Sequence, residues 1–408
     1  MTILKPSRRQ ILIGAGATAL AAATMRASGV FAAEPFRIGA LCPVTGAGSP
    51  YGSGMQQAII FAAEEINETG GAGGRTIEVV SEDAQTAPDA AVTAARKLID
   101  VNKVQAVMGT WSSGVSLAVM PITATAGIPL MNVSGAPAIS TEDKDDLVWR
   151  YQATNDRFGQ AFAKIAAANG WKRPATMAFN NASGIGNTEG FKKAWEAAGG
   201  EVVAEVVYEP NRPSYRSELQ SILAAEPDVI VMGSYLPDTT IILREWYQAG
   251  GQNKWIIPAW AANGDLVEAL GNEVVEGVIA VESISNEKSK AFTHFGELYE
   301  KATGNPGSSS VYAAMTYDMM IVWGLAMEAA GEGASVKDIN AKIREIANPE
   351  GTIVETFADG KEALKNGPIN YQGASSRLDF DEYGDVTPDF SESVITNGEF
   401  VRASVVTL

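Results

Sequence analysis

From residue 36 onward the chain alternates between two hydrophobic periods. Residues 36–41 form a continuous apolar run, the pattern of a strand covered on both faces. Met55, Ala58, Ile59, Ala62, Ala63 and Ile66 then recur at the spacing of one helix face, and Gly70-Gly71-Ala72-Gly73-Gly74 stops that helix. Strands follow over 76–80, 104–109 and 128–133, separated by helices over 89–101 and 115–126, the second containing Pro121. The beat restarts with a helix at 158–169, a strand at 175–179 and a helix at 190–198. It continues through strands at 202–208, 229–233, 255–258 and 278–282 and helices at 214–225, 239–249 and 266–270. Apolar strands alternating with amphipathic helices predict parallel sheets with helices on both faces. There are too many such units for one comfortable sheet, so the expectation is an α/β protein of two doubly wound parallel-sheet lobes.

The last quarter breaks the rhythm. Two helices come first, over 310–330 and 335–348, the second opening on a capping-box-like Ser335 and Asp338. The first is apolar enough to raise the question of a membrane span. Asp318 near its middle and Glu328 near its end argue for a buried core helix instead. Strand-like pieces follow around Ile353, over 377–380 and over 393–395. Asn397-Gly398 predicts a tight hairpin between 393–396 and 399–406.

The first 32 residues carry a different signal. Ser7-Arg8-Arg9-Gln10-Ile11-Leu12 is a twin-arginine signature, followed by an uncharged run over 11–24, then Arg26 and the small-residue site Val30-Phe31-Ala32. The apolar run is about 14 residues, short of the ~20 a spanning helix needs. The expectation is a leader at 1–32, exported by the twin-arginine route and cleaved near Ala32, with the rest working in the periplasm. A soluble N-terminal helix with a chance arginine pair is the plainer alternative.

Composition narrows the function. At 46% hydrophobic and 19% charged residues the chain is an ordinary globular protein. Its net charge is −17, and more negative still without Lys5, Arg8, Arg9 and Arg26 of the leader. That argues against nucleic acid and anionic lipid, which need clustered cations. A single cysteine, Cys42, rules out an internal disulfide, and its place after an apolar strand suggests a buried structural thiol. A single histidine, His294, excludes multi-histidine metal sites and leaves little for a histidine-dependent mechanism. Gly184-Ile185-Gly186 through Gly190 has the wrong spacing for a dinucleotide loop. No catalytic, metal or cofactor site is expected.

In open parallel sheets, ligands sit beyond the carboxyl ends of the strands. Two strand ends there are rich in hydroxyls and small residues: Thr110-Trp111-Ser112-Ser113-Gly114 and Ser134-Gly135-Ala136. Both precede helix starts, where hydroxyls and free N–H groups suit a carboxylate. Helix capping alone accounts for such loops equally well.

These segments together resemble the leucine/isoleucine/valine-binding type of periplasmic solute receptor, the type I binding-protein fold of ABC importers. The resemblance rests on Ile38-Gly39-Ala40 through Thr45-Gly46 and Tyr51-Gly52, on Ala63-Glu64-Glu65-Ile66-Asn67, and on Val107-Met108-Gly109-Thr110-Trp111-Ser112-Ser113-Gly114. Gly127-Ile128-Pro129 through Ser134-Gly135-Ala136 and Phe380-Asp381-Glu382-Tyr383-Gly384-Asp385 complete it. It implies two lobes joined by three hinge crossovers, near 152–155, 283–286 and 360–371. Lobe one is then 34–153 plus 285–362, and lobe two 154–284 plus 363–408. It also implies a cleft ligand and a monomeric receptor that delivers its small-molecule ligand to an ABC permease in the inner membrane.

The resemblance carries binding roles onto Tyr51, Trp111, Ser112, Ser113, Ser134, Gly135 and Ala136 of lobe one and onto Ile185, Tyr235 and Trp260 of lobe two. Two positions depart from the pattern. Ala136 stands where these receptors usually offer a threonine hydroxyl. Ala259-Trp260 stands where they place an acid for the ligand's ammonium, and no Asp or Glu follows until Asp265. The ammonium would then rest on an aromatic face, or the ligand has none. The expected ligand has one carboxylate or amide end and an apolar or aromatic body. Branched-chain or aromatic amino acids lead, with aromatic acids, amides or urea-like solutes as rivals. Ordinary core packing is the other account of Trp111 and Trp260. Two further classes stay open: a ligand sensor docking to a signalling protein, and an exported enzyme.

Overall fold

The computed structural model describes residues 34–408; the leader expected at 1–32 lies outside the described residues. Five strands, β1 (Phe36–Cys42), β2 (Ile77–Asp83), β3 (Ala106–Thr110), β4 (Leu130–Asn132) and β5 (Val148–Arg150), form one sheet in the order β2-β1-β3-β4-β5. Every pairing in it is parallel. Among the next strands, β6 (Pro174–Phe179), β7 (Ala204–Tyr208), β8 (Val229–Gly233), β9 (Lys254–Pro258) and β10 (Ile279–Ser283) are again parallel. A short parallel pair, β11 (Thr352–Val354) and β12 (Ile369–Tyr371), stands apart. β13 (Phe390–Thr396) and β14 (Glu399–Val406) then add antiparallel edges, giving the second sheet the order β14-β13-β10-β9-β8-β6-β7. Two helix-covered sheets are the two lobes the apolar strand runs predict.

The core follows the apolar periodicity. Helix Ser49–Glu68 buries Met55, Ala58, Ile59, Ala62, Ala63 and Ile66. Helix Val311–Ala330 packs along it and is buried from Tyr312 to Met327. Its Asp318 is tied down by polar partners, accepting from Ser375 N at 2.7 Å, Ala374 N at 2.9 Å and Tyr371 Oη at 2.9 Å. The acid fixes a loop from inside the core, and no helix among the described residues is long and apolar enough to cross a membrane. Cys42 is buried and burial pushes its thiol pKa up, as a structural thiol requires. His294 stands on helix Lys290–Thr303 with Nε2 3.2 Å from Glu65 Oε1. The hairpin turn has Asn397 at φ 52° and Gly398 at φ 82°, the left-handed pair that a two-residue turn demands.

Four local readings differ. The helix expected at 190–198 starts eight residues earlier, as helix Ala182–Ala197, capped by Asn181, whose Oδ1 accepts from Gly184 N at 2.7 Å. Gly184 and Gly186 blur the helical signal. At Gly184 the missing side chain is what lets the helix press onto Phe179 and Gly233 of the sheet. The helix expected at 335–348 breaks into Val336–Asn340, with its capping box, and Ile343–Ala347. Residues 377–380 are not a strand. Leu378 sits at φ 60°, and Phe380 packs edge-on to Trp149 and Tyr151 at 5.2 and 5.3 Å. The third crossover also falls later than 360–371. β12 pairs with β11, and Asp385 Oδ1 lies 2.9 Å from Arg150 Nε at the end of β5. Residues 363–385 therefore pack with the first lobe, and the chain passes to the second just before β13.

Candidate ligand site between the lobes

The loop after β3 leads into helix Ser113–Ala126, and the loop after β4 into helix Pro137–Glu142. Their hydroxyls do not cap those helices. Ser112 is in the N-cap position but makes no cap bond; its Oγ accepts from Tyr235 Oη of the other lobe at 3.2 Å. Ser113 Oγ accepts from Ala136 N at 3.1 Å, joining the two loops. Ser134 Oγ lies 2.6 Å from Ser116 Oγ and donates to the Trp111 carbonyl at 3.0 Å. Gly135 is placed by close approach: a Cβ there would run into the side chain of Asn155, and its carbonyl accepts from Asn155 N at 2.6 Å. Capping thus fails as the account of these serines. They form a buried hydroxyl network at the strand ends.

Aromatic rings from both lobes meet over this network. Trp111 and Tyr235 face each other across the cleft with ring centres 5.0 Å apart, and Tyr312 meets Trp111 edge-on at 6.0 Å. Tyr51 backs both, 5.8 Å from Trp111 and 5.0 Å from Tyr312. On the second lobe Phe158 packs edge-on to Trp260 at 5.0 Å, and Trp260 Nε1 donates to the Ser234 carbonyl at 3.1 Å. Asn263 Nδ2 reaches across to Tyr51 Oη at 3.0 Å. The cavity between these walls is about 20 Å³, room for a single water-sized sphere. A solute the size of an amino acid therefore enters only when the two walls part.

Of the residues singled out from the sequence, Trp111, Gly135, Tyr235 and Trp260 line the cavity. Ser112 reaches it through Tyr235. Ser113, Ser134 and Ala136 stand one layer back in the hydroxyl network, and Tyr51 stands behind the rings. Ile185 is elsewhere, in a surface groove with Pro137, Ala138 and Gly186, while Ser183 of the same helix faces the cavity. Gln152, Asn155, Phe158 and Tyr312 also line it and were not anticipated. Gln152 and Asn155 read in the sequence only as hinge residues, and Tyr312 as one apolar position in a long helix.

Several groups at the site have shifted acidity, with the hydroxyls of Tyr51 and Tyr312 raised by burial. Burial pushes the Tyr235 hydroxyl up, against hydrogen bonds with Ser112, Asn181 and Ser183 that favour its anion. Glu282, at the end of β10, is held up at about 7 by burial, opposed by bonds with Ser283, Gln152 and Tyr312. Its Oε1 accepts from Ser283 N at 2.9 Å and Gln152 Nε2 at 3.3 Å.

Two α/β lobes with a ring-walled cleft at the strand ends of both define the class of two-lobe solute-binding proteins. Residues 35–368 match the periplasmic binding protein family, and the chain belongs to it. It is 26% identical over 349 residues to Leu/Ile/Val-binding protein homolog 6 of Brucella suis biovar 1, covering 82% of this chain and 87% of that one. Among solved structures it is similar to a leucine binding protein from Thermotoga maritima, with a TM-score of 0.77 and 24% identity over 91% of this chain and 98% of that one. A solute binding protein from R. palustris in complex with benzoate matches with a TM-score of 0.72 and 22% identity, over 91% and 96% of the two chains. The family is one of solute receptors.

Proposed function

We propose that this protein is a periplasmic solute receptor that closes its two lobes on a small organic acid with an apolar or aromatic body and presents it, chemically unchanged, to an ABC permease. The observation that carries the reading is the site itself: rings from both lobes packed over the Ser112, Ser113 and Ser134 network. Oriented hydroxyls and the start of helix Ser113–Ala126 suit the acid end, and Trp111, Tyr235, Tyr312 and Trp260 suit the body. The relatives named for leucine, isoleucine and valine favour an amino acid. The ring-lined cavity, together with the benzoate complex of a fold neighbour, supports aromatic acids as the second reading. Export follows the twin-arginine leader, with cleavage after Ala32.

Thermal-shift screening of the purified chain against leucine, isoleucine, phenylalanine, benzoate and 4-hydroxybenzoate tests the reading, because a ligand bound only by the folded state raises the midpoint by mass action. Recovery of the bound solute by mass spectrometry should return it unaltered; a new product would make the protein an enzyme. Replacing Arg8 and Arg9 by lysine should hold the precursor in the cytoplasm, and normal periplasmic yield would rule out the twin-arginine route.

A further inference from the structure

A carboxylate from an unexpected strand stands directly behind the cavity lining, bonded to Gln152 and Tyr312. β9 and β10 run parallel in the register Ile256 with Ile279, Ile257 with Ala280 and Pro258 with Val281. Ala259 N donates to the Val281 carbonyl at 2.8 Å, so the next step of the register sets Glu282 beside Ala259, about 5 Å away at the backbone. The loop Ala259-Trp260-Ala261-Ala262 brings no acid, and Asp265 is exposed at the start of helix Gly264–Leu270. Of the carboxylates among the described residues, Glu282 is the one bonded to cavity-lining side chains, Gln152 and Tyr312.

Its surroundings suit a cation. The partners of Glu282 are neutral: the Ser283 amide and hydroxyl, the Gln152 amide and the Tyr312 hydroxyl. A desolvated carboxylate with neutral partners alone is costly, and a positive group brought to it removes that cost. The same corner holds the rings of Tyr51 and Tyr312, 5.0 Å apart, whose hydroxyls both feel the Glu282 charge. Ring faces attract cations in their own right. The hydroxyl network that suits an anion lies on the opposite loops, at Ser112, Ser113 and Ser134.

We propose that Glu282 receives a protonated amine of the bound solute, so that the cleft takes a zwitterion with its carboxylate toward the serine loops, its ammonium toward Glu282 and its apolar body against the rings. This deepens the receptor reading and rests on it. It places the charge-pairing residue on β10 and not in the Trp260 loop, which brings no acid.

The test compares amino acids with their desamino analogues by titration calorimetry on the full mature chain. Leucine and phenylalanine are set against 4-methylpentanoate and 3-phenylpropanoate, in the wild type and in Glu282→Gln. The wild type should bind each amino acid at least about 30-fold tighter than its analogue, the loss expected when one member of a buried charge pair is removed. Glu282→Gln should bring that ratio to within about threefold, by weakening binding of the amino acids and not of the analogues. If the wild type binds the analogues as tightly as the amino acids, or if Glu282→Gln keeps the discrimination, Glu282 does not receive an amine, and the receptor reading stands. If the wild type binds none of the four and none of the benzoates, both readings fall. The wild-type comparison needs no variant to fold.

Discussion

Glu282→Gln should stabilise the ligand-free protein at pH 8 and do so several-fold less at pH 5. The carboxyl is held at about 7 in the folded state against an ordinary value of 4.5, burial being the largest cause. A raised carboxyl means that the folded chain keeps a proton which the unfolded chain has released. Stability from this group therefore falls as pH rises above 4.5, and the loss is complete above about 7. The difference is worth roughly 3 kcal/mol when Glu282 is fully ionised, and about 2–3 kcal/mol once its partial exposure is allowed for. Glutamine keeps an oxygen for the Gln152 and Ser283 donors and cannot ionise. Asp318, pushed up to about 6 by burial, adds to the same slope, but it does so in both proteins and cancels in the comparison. The hydroxyls of Tyr51 and Tyr312 are raised and stay neutral over the whole range. Urea unfolding followed by tryptophan fluorescence at pH 5 and pH 8, without solute, measures the difference. A variant no more stable than the wild type at pH 8, or equally stabilised at both pH values, would show that Glu282 is not a strained carboxylate.

Three further outcomes follow from contacts already described. Asp385→Asn should lower stability by about 3–5 kcal/mol, because it leaves the fully buried Arg150 guanidinium without its counter-charge; equilibrium denaturation measures it, and a loss under about 1 kcal/mol would mean that water reaches Arg150. Ser113→Ala should cost about 1–3 kcal/mol of stability by stranding the buried Ala136 N–H, and should weaken solute binding in calorimetry as well, since the same loop faces the cleft. Tyr235→Phe removes the cross-lobe bond to Ser112, worth about 1 kcal/mol, and should weaken leucine binding roughly fivefold with no loss of fold; an unchanged affinity would place Tyr235 outside the closing contacts.

How far the sequence reaches depends on how local the cause is. Residues 36–41, 229–233 and the Asn397-Gly398 turn are settled by neighbours in the chain, and the structure has them as read. The serine loops were legible for a topological reason, since carboxyl ends of parallel strands are where such sheets expose unpaired groups. Phe158, Gln152 and Tyr312 reach the cavity from a helix, a crossover and a late helix. Only the folding of distant segments onto one another brings them there, so periodicity marks them merely as buried. Ile185 went astray through a boundary. With helix Ala182–Ala197 starting three residues before it, Ser183 and Ile185 lie on different sides of the helix, and only Ser183 turns to the cleft. Glu282 was hidden because an acid at the end of an apolar strand reads as the strand's exit to solvent. It takes the register with β9 and the bond to Gln152 to show that the acid lies behind the cleft lining.

The contacts across the cleft also bear on how the proposed closure would be driven. Tyr235 to Ser112 and Asn263 to Tyr51 are single neutral hydrogen bonds between the lobes, each worth about 1 kcal/mol net. The face between Trp111 and Tyr235 adds an aromatic pair of about 0.5–1.5 kcal/mol beyond its buried area. Against these stands Glu282, whose carboxyl has neutral partners only and which, on the proposed reading, closure desolvates. On that reading, favourable and opposing terms meet in one corner of the closed form. A solute that answers the serine hydroxyls and the Glu282 charge together changes that balance by its differential affinity for the closed form, the one means by which a ligand shifts such an equilibrium. The acid at Glu282 then weakens the empty closed form and strengthens the filled one. Glu282→Gln should therefore make the ligand-free chain more compact in small-angle scattering at pH 8, while leucine compacts the wild type more than the variant. Equal scattering from the two ligand-free proteins would separate Glu282 from closure.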